Sequence, residues 1–323
     1  MAHALVCSAP GGPDTLVWTQ LSEGAPGSGE VLLRQTAIGV NFIDIYYRTG
    51  LYPWPTPTLI PGAEAAGVIE AVGPDVTGFA PGDRVAYITP FGAYREMRIL
   101  PAEQLVRLPD GIAPEVIAGA LLKGLTAQYL VTASYPVRRG DVVLVHAAAG
   151  GVGLILGQWL AALGVEAIGT AGGPEKVALA KTHGYAHVID YRTEDFVAEV
   201  TRITGGKGCA AVYDSVGADT WRGSLACLAR RGHLVNFGQS SGMITGFALA
   251  DLAKGSLTAT RPMLFDFISE RAELLERSAD LFSRILDGTL KFDVAQTRRL
   301  REAGAVHEEM EARKTVGSTV LLP

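Results

Sequence analysis

The sequence predicts an α/β fold in two parts: a doubly wound parallel sheet of the dinucleotide-binding (Rossmann) kind, preceded by a compact β-barrel-type domain. Three observations predict it. Residues 140–164, GDVVLVHAAAGGVGLILGQWLAALG, run from an apolar strand through a small-residue turn into an apolar helix. After this unit, short apolar runs alternate with helical segments, as in a parallel sheet covered on both faces. Before it, short strands are cut by Gly and Pro, and 323 residues are too many for one ordinary core.

The elements follow in order. Strands are expected at 30–36 (EVLLRQT), 67–72 and 84–88, with turn chemistry at Gly73-Pro74-Asp75, Gly78 and Pro81-Gly82-Asp83 between the last two. A boundary is expected near Lys123 to Thr126, in the helical run that leads to the first strand of the larger sheet. That sheet is read at 142–145, 166–170, 187–189, 210–214 and 233–237, with 257–260 as a sixth strand. Helices are read at 151–163, 175–182, 193–204 and 218–228, and an amphipathic helix at 270–286. The last strand, 317–322, is expected to return to the first domain. The domains are then 1–124 completed by about 290–323, a nucleotide domain at 125–261, and a connecting helical segment at 262–289.

The turn explains itself chemically. Gly150 and Gly151 lack side chains, so backbone can approach a pyrophosphate, and Gly153 lets helix pack against strand. The helix N-terminus offers N–H groups and a favourable dipole to the phosphates. Ala148 stands where the usual pattern has its first glycine. The second strand ends Ile168-Gly169-Thr170-Ala171-Gly172-Gly173, with no carboxylate at its tip to hold a ribose 2′-hydroxyl. Glu175 follows Pro174 and reads as first-turn helix charge, and Lys176 comes next. A missing acid and a nearby cation favour a 2′-phosphate, hence NADPH over NADH.

Bulk properties exclude several classes. Hydrophobic residues make up 48% and charged residues 19%, and the net charge is −5 with no dense Lys/Arg tract, so nucleic acid is not an expected partner. No apolar run approaches the roughly 20 residues that cross a bilayer, and no signal peptide is visible, so a cytoplasmic location is expected. Cys7, Cys209 and Cys227 are unpatterned and read as reduced, buried thiols. Six scattered histidines form no ligand cluster, so no metal site is expected. His146, at a strand end, reads first as a packed, backbone-bonded residue.

Taken together, these motifs resemble the zinc-independent quinone oxidoreductases of the zeta-crystallin type, within the medium-chain dehydrogenase/reductase superfamily. The resemblance rests on Gly62-Ala63-Glu64-Ala65-Ala66-Gly67 with Gly73, Val76, Gly82-Asp83 and Val85, on the stretch from Gly140-Asp141 through Gln158, on Val212-Tyr213-Asp214-Ser215-Val216-Gly217, and on Asn236-Phe237-Gly238. It implies a GroES-like first domain, NADPH as cofactor and a homodimer. Asn41 and Ala63 occupy the places where zinc-dependent relatives have ligands, and the four-cysteine structural lobe is missing. Asn41 and Tyr46 match residues at the nicotinamide, and Gly150, Gly151, Val152 and Gly153 match the pyrophosphate turn. Gly172, Gly173, Lys176 and Tyr191 match the 2′-phosphate and adenosine environment. Ser215, Phe237, Gly238 and Ser240 match ribose and nicotinamide contacts, and Thr126 and Arg313 complete the cofactor set.

With no metal relay, Ser/His/Asp order or reactive-cysteine context, the hard chemistry belongs to the nicotinamide. The expected acceptor is a small conjugated carbonyl, a quinone or enone. Its developing oxygen charge would be stabilised by Tyr46, Tyr52, Asn41 or Arg261. Tyr46-Tyr47 and Tyr52-Pro53-Trp54 either wall a planar acceptor or pack a loop, and Asp44 is placed to orient a tyrosine or bind water. Helix 270–286 and segment 249–260 carry apolar surface for a second copy or for burial within the chain. Two alternatives stay open: an enoyl- or acrylate-type reductase, and a non-enzymatic NADPH-binding protein of crystallin or RNA-binding kind.

Overall fold

The computed structural model describes all 323 residues. In chain order, the elements are β1 (Ala2–Val6), β2 (Val17–Leu21), β3 (Glu30–Gly39), α1 (Phe42–Arg48), β4 (Glu64–Val72), β5 (Arg84–Ile88), β6 (Met97–Pro101), β7 (Leu105–Arg107) and α2 (Pro114–Tyr129). There follow β8 (Val142–Val145), α3 (Gly151–Ala162), β9 (Glu166–Ala171), α4 (Pro174–Lys181), β10 (His187–Asp190), α5 (Phe196–Ile203), β11 (Cys209–Asp214), α6 (Trp221–Ala226), β12 (Leu228–Asn236) and β13 (Thr258–Thr260). The chain ends with α7 (Arg271–Leu286), β14 (Val294–Arg299), α8 (Ala303–Glu311) and β15 (Ser318–Leu322).

Two compact units form. One holds Met1–Leu122, Ile268–Leu286 and Phe292–Pro323; the other holds Lys123–Phe267 and Asp287–Lys291. In the first, strands run in the order β14-β15-β3-β4-β5-β7, with β6 also on β3. The expected return of the C-terminal strand is there, since β15 pairs antiparallel with β3, Val320 opposite Gly39. The core packs Leu33, Ile38, Ile69, Val85 and Tyr87 against Leu300, Val306 and Leu321. Gly62, at φ +96°, leaves room for the Tyr94 ring, which a side chain there would strike.

The second unit is the expected parallel sheet, in the order β10-β9-β8-β11-β12-β13. Its core includes Leu144, Ile168, Ile189, Val212 and Leu234. The order reverses between β8 and β11, the place where open α/β sheets bind ligands outside the carboxyl ends of their strands.

Several elements differ from expectation. Residues 42–48, whose aromatics were expected either to wall an acceptor or to pack a loop, form α1, and the Asp44 carboxylate caps its first turn by accepting from the Asn41 N–H at 2.8 Å. Helix α8 and strands β1, β2, β6, β7 and β14 lie outside the expected elements; all are short, and short elements carry too few residues for a periodic pattern. The segment expected as a connection is divided: α7 belongs to the first unit, where Leu274, Ser278, Leu281 and Phe282 are buried along one stripe. Arg271 fixes its start by donating to the carbonyls of Glu103 and Leu105.

Beside the expected absence of an apolar run of about 20 residues stands one helix long and apolar enough, by length and composition, to cross a bilayer. Helix α2 continues as a π turn to Ser134, giving 21 residues whose most apolar window has a mean hydropathy of 1.4. Glu115 and Lys123 break the apolar run but not the helix. That window is 78% buried inside the fold, as befits a core helix.

Candidate functional site

In the second unit, the glycine turn caps α3 with Gly150 in extended backbone and no side-chain cap. The first-turn N–H groups of a helix have no partner within it, which suits them to receive an anion. A Cβ on Gly153 would run into the carbonyl oxygens of Ala147 and Ala148. Ala147 takes a left-handed φ of 54°, a conformation that costs roughly 1–2 kcal/mol in a non-glycine residue. The alanine at 148 is accommodated from the opposite side. Its methyl packs where a side chain on Gly169 of β9 would lie, and its N–H donates to Thr170 at 2.9 Å.

The tip of β9 is where the group that reads the cofactor's charge was expected. Gly172 lies against the Tyr191 hydroxyl, which leaves no room for a side chain. Lys176 stands in the first turn of α4. Two neighbours escaped the sequence reading. Arg192 places its guanidinium 3.1 Å from where a Cβ on Gly173 would sit. The Asp190 Oδ1 accepts from the Gly173 N–H (2.9 Å) and the Arg192 N–H (3.1 Å). Those bonds, the Gly173 one foremost, hold the Asp190 carboxyl below its ordinary range. An acid is therefore near the tip after all, supplied by the next strand and tied to backbone. The only sequence signal was the Asp-Tyr-Arg run at the end of β10. A guanidinium beside one committed carboxylate, with Lys176 in the first turn of α4, suits a 2′-phosphate, and the residues present fit NADPH.

The ends of β11 and β12 are tied together. Asp214, fully buried, accepts from the N–H groups of Val216 (2.8 Å) and Gly217 (3.0 Å) and from the hydroxyls of Thr220 and Ser224. This fixes the loop that carries Ser215. The Ser215 carbonyl accepts from the Ser240 N–H at 3.2 Å, and the Phe237 N–H reaches the Asp214 carbonyl at 2.9 Å. Gly238 packs too closely on Ser215 for any side chain. Ser215, Phe237, Gly238 and Ser240 are thus neighbours. Arg261, past the end of β13, joins them by donating to the Asn236 carbonyl at 3.3 Å. Thr126 is buried on α2.

His146 is a packed strand-end residue. Its Nδ1 meets Thr170 Oγ1 and its Nε2 meets Ser224 Oγ, each at 3.0 Å. Because Ser224 donates to Asp214, the network assigns the proton to Nε2. Burial holds this imidazole below its ordinary pKa, against the pull of Asp214.

In the first unit, Asn41 is buried, and its Nδ2 donates to Oε1 of fully buried Glu64 at 2.8 Å. The other Glu64 oxygen accepts from the Leu122 N–H at 2.6 Å. The neighbouring Ala63 is buried and offers no ligating atom. Tyr46 and Tyr52 pack with ring centroids 5.4 Å apart, Phe42 adds to Tyr46 at 6.3 Å, and Tyr47 meets Tyr52 edge-on at 5.5 Å. Trp54 donates to the Tyr47 carbonyl at 2.6 Å, which pins the following segment. The aromatics therefore form one wall on α1. Arg313 lies just beyond α8, exposed and in left-handed backbone at φ 56°. Asp44 does orient a tyrosine, but that tyrosine is Tyr94, at 3.0 Å.

Comparison with known proteins agrees with this arrangement. Residues 27–110 match the alcohol dehydrogenase GroES-like domain, and residues 151–280 match the zinc-binding dehydrogenase family. A quinone oxidoreductase of Pseudomonas aeruginosa is 50% identical over 325 residues, covering all of both chains. A 2-haloacrylate reductase of a Burkholderia species is 46% identical, covering all of this chain and 99% of that one. The solved structure of Escherichia coli quinone oxidoreductase complexed with NADPH superposes with a TM-score of 0.97 at 44% identity, over 99% of this chain and 100% of the other. Identity of this extent, over both units at once, means that the chain belongs to the quinone oxidoreductase family of the medium-chain dehydrogenases/reductases.

Proposed function

We propose that the protein is an enzyme that reduces quinones, or closely related conjugated carbonyls, with NADPH and without a metal. The full-length 50% identity to a quinone oxidoreductase carries this reading. Bound NADPH supplies the hydride, and one proton completes the hydroquinone. The chain's own part is to bind, orient and stabilise charge. Gly150, Gly151, Val152 and Gly153 take the pyrophosphate. Gly172, Gly173, Lys176 and Tyr191 take the 2′-phosphate and adenosine, with Arg192 added. Ser215, Phe237, Gly238 and Ser240 take ribose and nicotinamide, supported by Thr126 and Arg313. Asn41, Tyr46, Tyr52 and Arg261 supply the donors toward which negative charge develops on the acceptor oxygen. The aromatic wall of Phe42, Tyr46 and Tyr52 suits a flat acceptor.

A second reading has a specific support, the 46% identity to the 2-haloacrylate reductase. NADPH oxidation with 1,4-benzoquinone, an enone and 2-chloroacrylate, before and after exhaustive chelation, separates the cases. Quinone turnover that survives chelation is the expected result. Turnover of the acrylate alone moves the protein to the second reading. Loss of turnover restored by zinc, or NADPH binding with no acceptor reduced, overturns the proposal.

We also propose a cytoplasmic homodimer, with no membrane or nucleic acid partner. Three buried free thiols fit a reducing compartment. The short, exposed strand β13 ends its sheet and offers an open edge to a second copy. Sedimentation should give a dimer, and Ala259→Pro, which puts a proline into that edge strand, should shift it toward monomer. A monomeric parent protein would refute the assembly and leave the enzymatic reading untouched.

A further inference from the structure

A buried chain of polar side chains in the first unit has no part in the reading above. It begins at Asp44, in the first turn of α1, whose Oδ2 accepts from the Asn41 N–H at 2.8 Å and from the Tyr94 hydroxyl at 3.0 Å. Tyr94 Oη lies 2.9 Å from Nε2 of His307 on α8. The His307 Nδ1 lies 3.2 Å from Nη1 of Arg48, in the last turn of α1. All four side chains are essentially inaccessible.

The direction of these bonds follows from what each group can donate. A guanidinium only donates, so Arg48 donates to Nδ1. The imidazole proton therefore sits on Nε2 and goes to the Tyr94 oxygen, which leaves the Tyr94 proton for Asp44. The chain leaves α1 at one end and re-enters it at the other, through a residue 259 positions away in sequence. Arg48 is anchored beyond it, to the Gly11 carbonyl at 3.1 Å and to Glu311 at 2.8 Å.

Proton relay is a poor use for such a chain, because a guanidinium does not release its proton and closes the path at Arg48. Holding is a better one. A seven-residue helix is marginal by itself, and this one carries both Tyr46 and, at its cap, Asn41.

We propose that Tyr94 and His307 are positioning residues for the reduction: their hydrogen bonds clamp both ends of α1 and so hold Asn41 and Tyr46 in the geometry that transfer requires. This rests on the proposed role of Asn41 and Tyr46. Misplacement of a reacting group by about 1 Å can slow a reaction by roughly 100-fold, so a small loosening of the helix is enough.

The test uses Tyr94→Phe, His307→Gln and His307→Asn in the full chain. Gln places a donor near the position of Nε2, and Asn places an acceptor near that of Nδ1. Tyr94→Phe and His307→Asn should lower kcat for quinone by ~10- to 100-fold, with NADPH binding changed less than about twofold. The deuterium isotope effect from 4-deuterated NADPH should rise, and His307→Gln should recover much of the loss. Ile69→Val, a core change in the same unit, controls for stability. Wild-type kcat per folded molecule in Tyr94→Phe, or an equal kcat loss in Ile69→Val at matched loss of Tm, overturns the proposal. If one variant does not fold, the contrast between the remaining two decides. Asn41→Ala and Tyr46→Phe are measured alongside: wild-type turnover in both refutes the role of α1 itself, whereas a loss there with none in Tyr94→Phe refutes the clamp alone.

Discussion

Lys176→Ala weakens NADPH binding by roughly 10- to 100-fold, about 1–3 kcal/mol, and changes NADH binding less than about twofold. The reason is local. The 2′-phosphate is the only group that distinguishes the two cofactors, and Lys176 in the first turn of α4 and Arg192 beside Gly173 stand where we propose that it binds. Arg192→Ala, at an exposed position, adds a smaller loss of ~3- to 10-fold. Both cations serve one phosphate, so the double variant falls short of the product of the singles. Asp190→Asn keeps an acceptor for the Gly173 N–H and removes a negative charge, so it should leave NADPH binding equal or a few-fold tighter. Added salt should weaken NADPH more than NADH. Calorimetric titration of both cofactors against the parent and the four variants checks this set. Parallel losses of NADH and NADPH in Lys176→Ala would mean that the lysine supports the fold rather than reading the phosphate.

Stability falls steeply as the solution is acidified below about pH 6.5, and His307 is the main source. Burial, with Arg48 alongside, pushes its imidazole down to about 3. In the unfolded chain the same group titrates near 6.5. The folded state therefore binds this proton less readily. Above pH 6.5 neither state carries it, and the histidine contributes no pH dependence. Between 6.5 and 3 only the unfolded state takes it up, so stability is lost at ~1.4 kcal/mol per pH unit. From pH 7 to 5 that amounts to about 2 kcal/mol, a large part of a typical 5–15 kcal/mol. His146, also held below its ordinary pKa by burial, acts in the same direction. Asp83 and Asp190, held low by their hydrogen bonds, lose their contribution only at lower pH, where carboxylates titrate. Urea unfolding at pH 7.5 and 5 is the measurement. His307→Gln should be less stable at pH 7.5 yet lose less on acidification. An identical pH dependence in variant and parent would assign the acid sensitivity elsewhere.

What could be read without the structure was local. The strand, turn and helix at 142–163 depend on residues a few positions apart, and apolar spacing and glycine placement are sufficient to specify them. The same holds for the alternation that builds the parallel sheet and for the turns at Gly73 to Asp83. The missing acid at the tip of β9 was also legible, because it is a property of one strand end.

The structure decided whatever depends on long-range company. Asp190 and Arg192 reach Gly173 from the adjacent strand. Glu64 receives Asn41 from 23 residues away, and Tyr94 meets His307 across 213. Helix α1 is short and rich in aromatic and β-branched residues, which by propensity favour a strand. The Asp44 carboxylate on the Asn41 N–H and the helix's distant partners hold it helical. The sequence by itself determined which segments bury an apolar face and where the glycine turn meets its helix, since both follow from spacing along one element. Only the tertiary structure determined how buried charges find partners, because burying a charge is tolerable only when a compensating group arrives from elsewhere in the fold.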